Sequence, residues 1–257
     1  MLEVKEFSRR FGGVRAVDCV SLAVRKGQVH GLIGPNGAGK TTMLNLISGA
    51  LTASSGSIRL EGSDVTRTNL QERAALGIRR TFQNLKLFGP MSVCENVLIG
   101  LHTEMRSGVF DALVRSPRLR REESEMRDKA KESLLVVGLE TASDISASVL
   151  PYGHRRLLEI ARAIASSPKV LLLDEPAAGL NATESKRLLG VFERLCKRGM
   201  SLILVDHHID LVMSACSSIS VVNYGRKLAE GTPSEIRSNK LVIEAYLGRE
   251  PTPNQKS

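Results

Sequence analysis

An aliphatic run, Gln28-Val29-His30-Gly31-Leu32-Ile33, leads directly into Gly34-Pro35-Asn36-Gly37-Ala38-Gly39-Lys40-Thr41, and beyond Thr42 the residues Met43, Leu46, Ile47 and Ala50 keep helical spacing. Strand, glycine-rich turn and helix in that order leave few folds open, because the pattern G-x-x-x-x-G-K-[ST] carries its meaning only in this frame. The glycines let the backbone close around a phosphate with its N–H groups inward, and the following helix adds the positive end of its dipole. Lys40 is placed to reach the β- and γ-phosphates, and Thr41 offers a hydroxyl to Mg²⁺. Residues 34–42 are therefore the expected phosphate cradle. A glycine-rich turn beside a surface lysine is the bland alternative, and it needs neither the strand before nor the helix after.

A second constellation stands far along the chain. Val170-Leu171-Leu172-Leu173 ends in Asp174-Glu175-Pro176, which sets two carboxylates at the C-terminal edge of a strand, where ligands of parallel sheets sit. Asp174 suits Mg²⁺, directly or through water, and Glu175 suits orienting or deprotonating an attacking water. Alone, such a pair is more often a helix N-cap; beside a phosphate loop it completes a phosphoryl-transfer site.

The remaining pattern predicts the architecture. Ser201–Val205 is another apolar strand, and Leu188, Val191, Phe192 and Leu195 repeat the helical spacing before Gly199. Strands alternating with helices predict an α/β fold, a mostly parallel sheet covered on both faces. The first twenty residues, 56–62 and 219–230, with a turn at Tyr224-Gly225, read as short strands and hairpins and predict an antiparallel sheet beside the parallel one. From 90 to 165 there is no strand pattern. Met126, Ala130, Leu134 and Val137 mark one helix there, and Leu157, Ile160, Ala161 and Ile164 another, as an inserted helical subdomain.

At 257 residues, with no linker, repeat or low-complexity run, the chain reads as one domain over 1–248: a catalytic core at 1–89 and 166–248, a helical subdomain at 90–165, and a flexible tail at 249–257. No stretch approaches the roughly 20 apolar residues of a membrane span, and the start lacks the apolar core of a secretory signal, so a cytosolic location is expected. Cys19, Cys94, Cys196 and Cys216 are expected to be reduced apolar filler. A net charge of +9 favours anions without choosing among nucleotides, nucleic acid and a membrane face. Nine aromatics and no Trp weigh against a single-strand nucleic-acid platform. The run Arg115, Arg118, Arg120, Arg121 is followed at once by Glu122, Glu123 and Glu125, which reads as a solvated mixed-charge face.

Nearly the whole chain resembles an ABC-type ATPase, the nucleotide-binding subunit of ABC transporters, through the order of its motifs. Phe11 precedes the phosphate loop where that family stacks an aromatic on adenine; alone it would be an interior anchor. Gln83, in Thr81-Phe82-Gln83-Asn84, matches the glutamine loop that contacts Mg²⁺ and water. Leu150-Pro151-Tyr152-Gly153-His154 stands at the LSGGQ signature, Ala178-Gly179-Leu180-Asn181 matches the D-loop, and His207 matches the switch histidine that contacts the γ-phosphate. His207 beside His208 does not suggest a metal, since adjacent strand residues point to opposite faces. The resemblance implies a P-loop, RecA-like core with a flanking antiparallel β-subdomain and an inserted helical subdomain. It also implies ATP and Mg²⁺ as cofactors, and a head-to-tail dimer with a second ABC ATPase, the same or different, whose signature closes over the nucleotide. Pro151 replaces serine and His154 replaces glutamine, so one donor to the γ-phosphate is absent.

Within that group the chain is similar to the ATPases of branched-chain amino-acid importers. The likeness rests on residues 79–88, on the helical insert through 107–125, on residues 150–162 and 174–181, and on Ala245-Tyr246-Leu247-Gly248. That implies two transmembrane permease subunits, an extracytoplasmic solute-binding protein, a place on the inner face of the cytoplasmic membrane, and no nucleic acid. Rival readings are the ATPase of a lipid or lipopolysaccharide exporter, a soluble ABC ATPase acting on nucleic acid, and a nucleotide-gated module without hydrolysis.

Overall fold

The computed structural model describes residues 1–81, 87–101 and 117–247. In chain order its first elements are β1 (Leu2–Phe11), β2 (Val14–Val24), β3 (Val29–Ile33), α1 (Lys40–Ser48), β4 (Ser55–Leu60), β5 (Ser63–Asp64), α2 (Leu70–Leu76), β6 (Ile78–Arg80) and α3 (Val93–Leu101). There follow α4 (Pro117–Val137), α5 (Tyr152–Ile164), β7 (Val170–Asp174), α6 (Ala182–Lys197), β8 (Ser201–Val205), α7 (Ile209–Ala215), β9 (Ser218–Asn223), β10 (Arg226–Gly231), α8 (Pro233–Ser238) and α9 (Lys240–Leu247).

A six-stranded sheet runs β10-β9-β3-β8-β7-β6, and a four-stranded antiparallel sheet runs β2-β1-β4-β5. β3, β7 and β8 pair in parallel and are buried at every residue, which is why they read as unbroken aliphatic runs rather than as an alternation. The period of two still sorts their side chains. Val170 and Leu172 of β7 join an apolar cluster with α1 and the antiparallel sheet, whereas Leu171 and Leu173 join the cluster with α3, α4, α5 and α6. The predicted apolar faces fall as expected: Ala130, Leu134 and Val137 of α4 pack with Leu157, Ile160, Ala161 and Ile164 of α5.

α1, the helix behind the phosphate loop, is held at its C-terminal end. Gly49 caps it in the left-handed conformation, as predicted, and the buried Arg73 guanidinium of α2 donates to the Ile47 carbonyl at 3.0 Å and to Thr66 O at 3.0 Å. α2 itself begins with a reciprocal cap between Asn69 and Glu72.

Three expectations are corrected. The hairpin at 219–230 forms, with its turn at Tyr224-Gly225, but it does not join the antiparallel sheet: β9 pairs in parallel with β3, from His30↔Ser218 to Ile33↔Val221. Burial of an aliphatic strand beside β3 decides this, not the local turn. Cys19 is exposed, with a φ of 55°, so it is no apolar filler; Cys216 is buried, and burial pushes its thiol up to about 12. His207 and His208 lie beyond the end of β8, so strand alternation is not what separates them.

His30 in β3 is 1% exposed, with Nδ1 2.8 Å from Ser218 Oγ and Nε2 3.0 Å from Ser220 Oγ. Burial disfavours the charged ring and lowers its pKa to about 4. An unfolded histidine titrates near 6.5, so this ring contributes stability above about pH 6.5 that is lost as pH falls toward 4, ~3 kcal/mol in all and ~2 kcal/mol of it by pH 5. Urea midpoints should therefore fall between pH 7 and pH 5, and His30→Gln should flatten that slope; equal slopes would assign the loss to another group.

Candidate nucleotide site

The C-terminal ends of β3 and β7 open onto a cavity of about 470 Å³, lined by Val14, Arg15, Ala16, residues 36–42, Glu175, His207 and Tyr224. Two larger cavities, of about 580 and 1020 Å³, lie on other faces, and neither is lined by a glycine-rich loop or by a residue of the 174–176 turn. Chemistry rather than size identifies the site.

The loop's shape follows from its glycines. Gly34 has a φ of 154°, and a Cβ there would stand 2.0 Å from the Val222 carbonyl of β9. Gly34 and Pro35 do not line the cavity; their carbonyls accept from Lys40 Nζ at 2.7 and 2.9 Å, so the lysine, 6% exposed, folds back over its own loop. Thr41 is exposed on the first turn of α1 and Thr42 is half-buried. The turn after β9 is pinned to the same loop, since the Gly225 N–H donates to Ala38 O at 3.0 Å and the Asp18 N–H to Gly225 O at 2.8 Å. From α9, Tyr246 reaches the start of the loop: burial raises its phenol above the ordinary value, and the Gly34 N–H facing its oxygen pulls the other way.

The two carboxylates of β7 have separate surroundings. Asp174 is 2% exposed, does not line the cavity, and accepts at Oδ2 from Arg80 Nη2 at 2.7 Å. Glu175 lies at a φ of 50°, a conformation that costs a non-glycine residue on the order of 1 kcal/mol and is fixed here by its N–H donating to Val205 O at 2.7 Å. Its Oε1 is 2.7 Å from His207 Nε2; with the carboxylate ionised, that nitrogen carries the proton. Asp206, 3% exposed, accepts from the Ala177 N–H at 3.0 Å and from the His208 N–H at 2.9 Å, and its Oδ1 is 2.7 Å from His208 Nδ1. One buried carboxylate thus ties the turn after β7 to the turn after β8.

The remaining predicted residues lie elsewhere. Phe11, 45% exposed at the end of β1, does not line the cavity and carries the Arg9 guanidinium 5.0 Å from its ring centroid. Gln83 falls outside the described residues. Residues 150–154 open α5 and share no cavity with Lys40. They pack instead on the D-loop and α6 of the same chain. A Cβ at Gly179 would meet the Tyr152 ring at 3.0 Å, one at Gly153 would meet Glu184 Oε1 at 2.3 Å, and His154 Nε2 accepts from Arg187 Nη1 at 2.8 Å. Leu150 is buried and Pro151 is the exposed N-cap; Leu180 packs on the core, and Asn181 caps α6 reciprocally with Glu184.

Comparison with known proteins identifies this arrangement. The family described as "ABC transporter" matches residues 17–178, and a C-terminal family described as "Branched-chain amino acid ATP-binding cassette transporter" matches residues 226–252. The chain belongs to the ABC transporter family. The cassette is 43% identical to the high-affinity branched-chain amino acid transport ATP-binding protein LivG of Salmonella typhimurium, over 96% of this chain and 98% of that one. It is 42% identical to BraF of Pseudomonas aeruginosa over the same shares, and 33% identical to the lipopolysaccharide export ATP-binding protein LptB of Escherichia coli, over 97% of this chain and 98% of LptB. A nucleotide-free ATP-binding cassette from an ABC transporter superposes with a TM-score of 0.85 at 32% identity, covering 97% of this chain and 99% of that one. The fold is thus the expected ABC ATPase fold, and the chain is an ATP-hydrolysing subunit of that family. Reading the sequence missed Val14, Arg15, Ala16, Arg80, Asp206 and Tyr224, whose places depend on which strands become neighbours; only Asp206, a lone acid ending an aliphatic strand, left a signal.

Proposed function

We propose that the chain is the ATP-binding, ATP-hydrolysing subunit of an ABC importer, energising uptake of branched-chain or related amino acids while bound to the inner face of the cytoplasmic membrane. The observation that carries the chemistry is one cavity holding the phosphate loop and the Glu175–His207 pair together. The amino-acid reading rests on the higher identity to LivG and BraF than to LptB, and on the C-terminal match at 226–252. No helix among the described residues is long and apolar enough to cross a membrane, which suits a peripheral subunit served by two permeases and an extracytoplasmic binding protein.

ATP enters with its phosphates against the N–H groups of residues 36–42, and Lys40 exchanges its bonds to Gly34 O and Pro35 O for the β- and γ-phosphate oxygens. Mg²⁺ would be held by the Thr41 hydroxyl, which lines the cavity, and by the carboxylate of Asp174, the neighbour of cavity-lining Glu175; both are hard oxygens, and no cluster of His, Cys, Asp or Glu among the described residues would select a softer ion. Held by those residues, Mg²⁺ would supply positive charge against the phosphate charge that grows as the terminal P–O bond breaks. Glu175 accepts the proton of the water that attacks the γ-phosphorus, ADP leaves, and His207 holds the carboxylate in line. Residues 150–154 share no cavity with Lys40 of their own chain, which suits a signature that serves the nucleotide of a second ATPase, carried there on α5.

Lys40→Ala should weaken fluorescent ATP-analogue binding at least tenfold, with no change in melting temperature beyond a few degrees. Retained affinity would remove the cavity from its role. Pro151→Ser restores a hydroxyl at the N-terminus of α5 and should raise turnover or ATP-dependent association severalfold in the complete complex; if neither moves, position 151 does not face nucleotide. In vesicles with two permease subunits and a partner ATPase, leucine-loaded binding protein should stimulate hydrolysis, whereas stimulation by lipopolysaccharide alone would favour export.

A further inference from the structure

Asp174 is nearly sealed from solvent, and an isolated buried carboxylate is costly. The cation that answers it is Arg80, the last residue of the edge strand β6, whose side chain is 11% exposed. One terminal nitrogen donates to Asp174 Oδ2 at 2.7 Å, and the other donates to Asn45 Oδ1 in α1. The guanidinium therefore bridges the end of β7 and the helix of the phosphate loop. Thr81 continues β6 by donating its N–H to Leu172 O at 2.9 Å, two residues before Gln83.

We propose that Arg80 is a positioning residue that keeps Asp174 charge-balanced and aimed while the site holds no nucleotide, so that Mg²⁺ is admitted only together with the phosphates of ATP. The inference rests on Asp174 as a Mg²⁺ ligand. Its physical basis is charge arithmetic. With Arg80 in place the pair is neutral, and a divalent cation approaching Asp174 Oδ1 meets a guanidinium at the other oxygen; the phosphates of ATP supply the negative charge that overcomes this. The second bond to Asn45 keeps the guanidinium from swinging away.

The test uses the full chain with a fluorescent ATP analogue and Mg²⁺ as titrant, and reads binding rather than hydrolysis. In the wild type, millimolar Mg²⁺ without nucleotide should leave the melting temperature unchanged; a clear rise would overturn the proposal without any variant. In Arg80→Gln, Mg²⁺ alone should raise the melting temperature, and the Mg²⁺ concentration for half-maximal effect on analogue binding should fall about tenfold. Arg80→Lys, which keeps the charge, should stay near the wild-type midpoint. A Gln variant that is merely less stable, with the wild-type midpoint, overturns the proposal, as does a midpoint that rises. Asp174→Asn separates the two levels: if it leaves the Mg²⁺ dependence unaltered, the assignment of Asp174 to the metal fails, whereas an altered dependence in Asp174→Asn with none in Arg80→Gln sinks only the role of Arg80.

Discussion

Glu175→Gln is expected to slow ATP hydrolysis by about 10²- to 10³-fold while leaving nucleotide affinity within about twofold. The amide keeps the volume of the carboxylate, and its oxygen can still accept from His207 Nε2, which lies 2.7 Å from Glu175 Oε1. The backbone that presents it, at a φ of 50° and anchored to Val205 O, does not depend on the side-chain charge. The amide loses only the capacity to take a proton. With binding intact and turnover stalled, the variant should accumulate as an ATP-dependent dimer on gel filtration with its partner ATPase. Phosphate release and analogue binding, measured on one preparation, check this directly. Hydrolysis at the wild-type rate would assign the base to another group, whereas loss of binding along with turnover would mean that Glu175 supports the loop.

Gly34→Ala should be the most damaging small substitution in the site, and its contrast with Gly37→Ala gives the test its force. At position 34 a Cβ would sit 2.0 Å from the Val222 carbonyl, which belongs to β9 within the central sheet and cannot retreat without breaking its pairing with β3. At position 37 the φ of 77° is also left-handed, but nothing lies within 4 Å of an added Cβ. Backbone strain alone costs about 1–2 kcal/mol, so Gly37→Ala should lose that and no more. Gly34→Ala adds a backbone clash and should lose more than about 4 kcal/mol, beyond the ordinary range for a point mutation. Urea unfolding of both variants, followed by intrinsic tyrosine fluorescence, measures the difference. Equal losses would mean that the loop and β9 are not held as close as described.

Much of the site was legible because phosphate binding is a local problem. Residues 36–42 lie on consecutive residues of one strand–loop–helix unit, and the aliphatic run before Asp174 announced a strand covered on both sides. The faces of α4 and α5 and the left-handed cap at Gly49 were legible for the same reason, since period and cap belong to a few neighbouring residues. What escaped reading has no local signature. β6 is three residues, Ile78–Arg80, two of them charged, and it is a strand only because Leu172 and its neighbours in β7 offer their edge. The short helices α2, α7, α8 and α9 carry too few turns for a periodic stripe.

The sequence by itself determined that a strand, a glycine-rich turn and a helix would follow one another through residues 28–50, which strands would be central, and in what order the chemical groups would come. Only the tertiary structure decided that Arg80 would cover Asp174, that Asp206 would tie two turns together, that the 219–230 hairpin would extend the parallel sheet, and that Tyr224 rather than Phe11 would border the cavity. The division follows from range. Backbone conformation and periodicity are written in adjacent residues, whereas the partner of a buried charge or of a sheet edge is chosen by whatever the rest of the chain brings within a few ångströms of it.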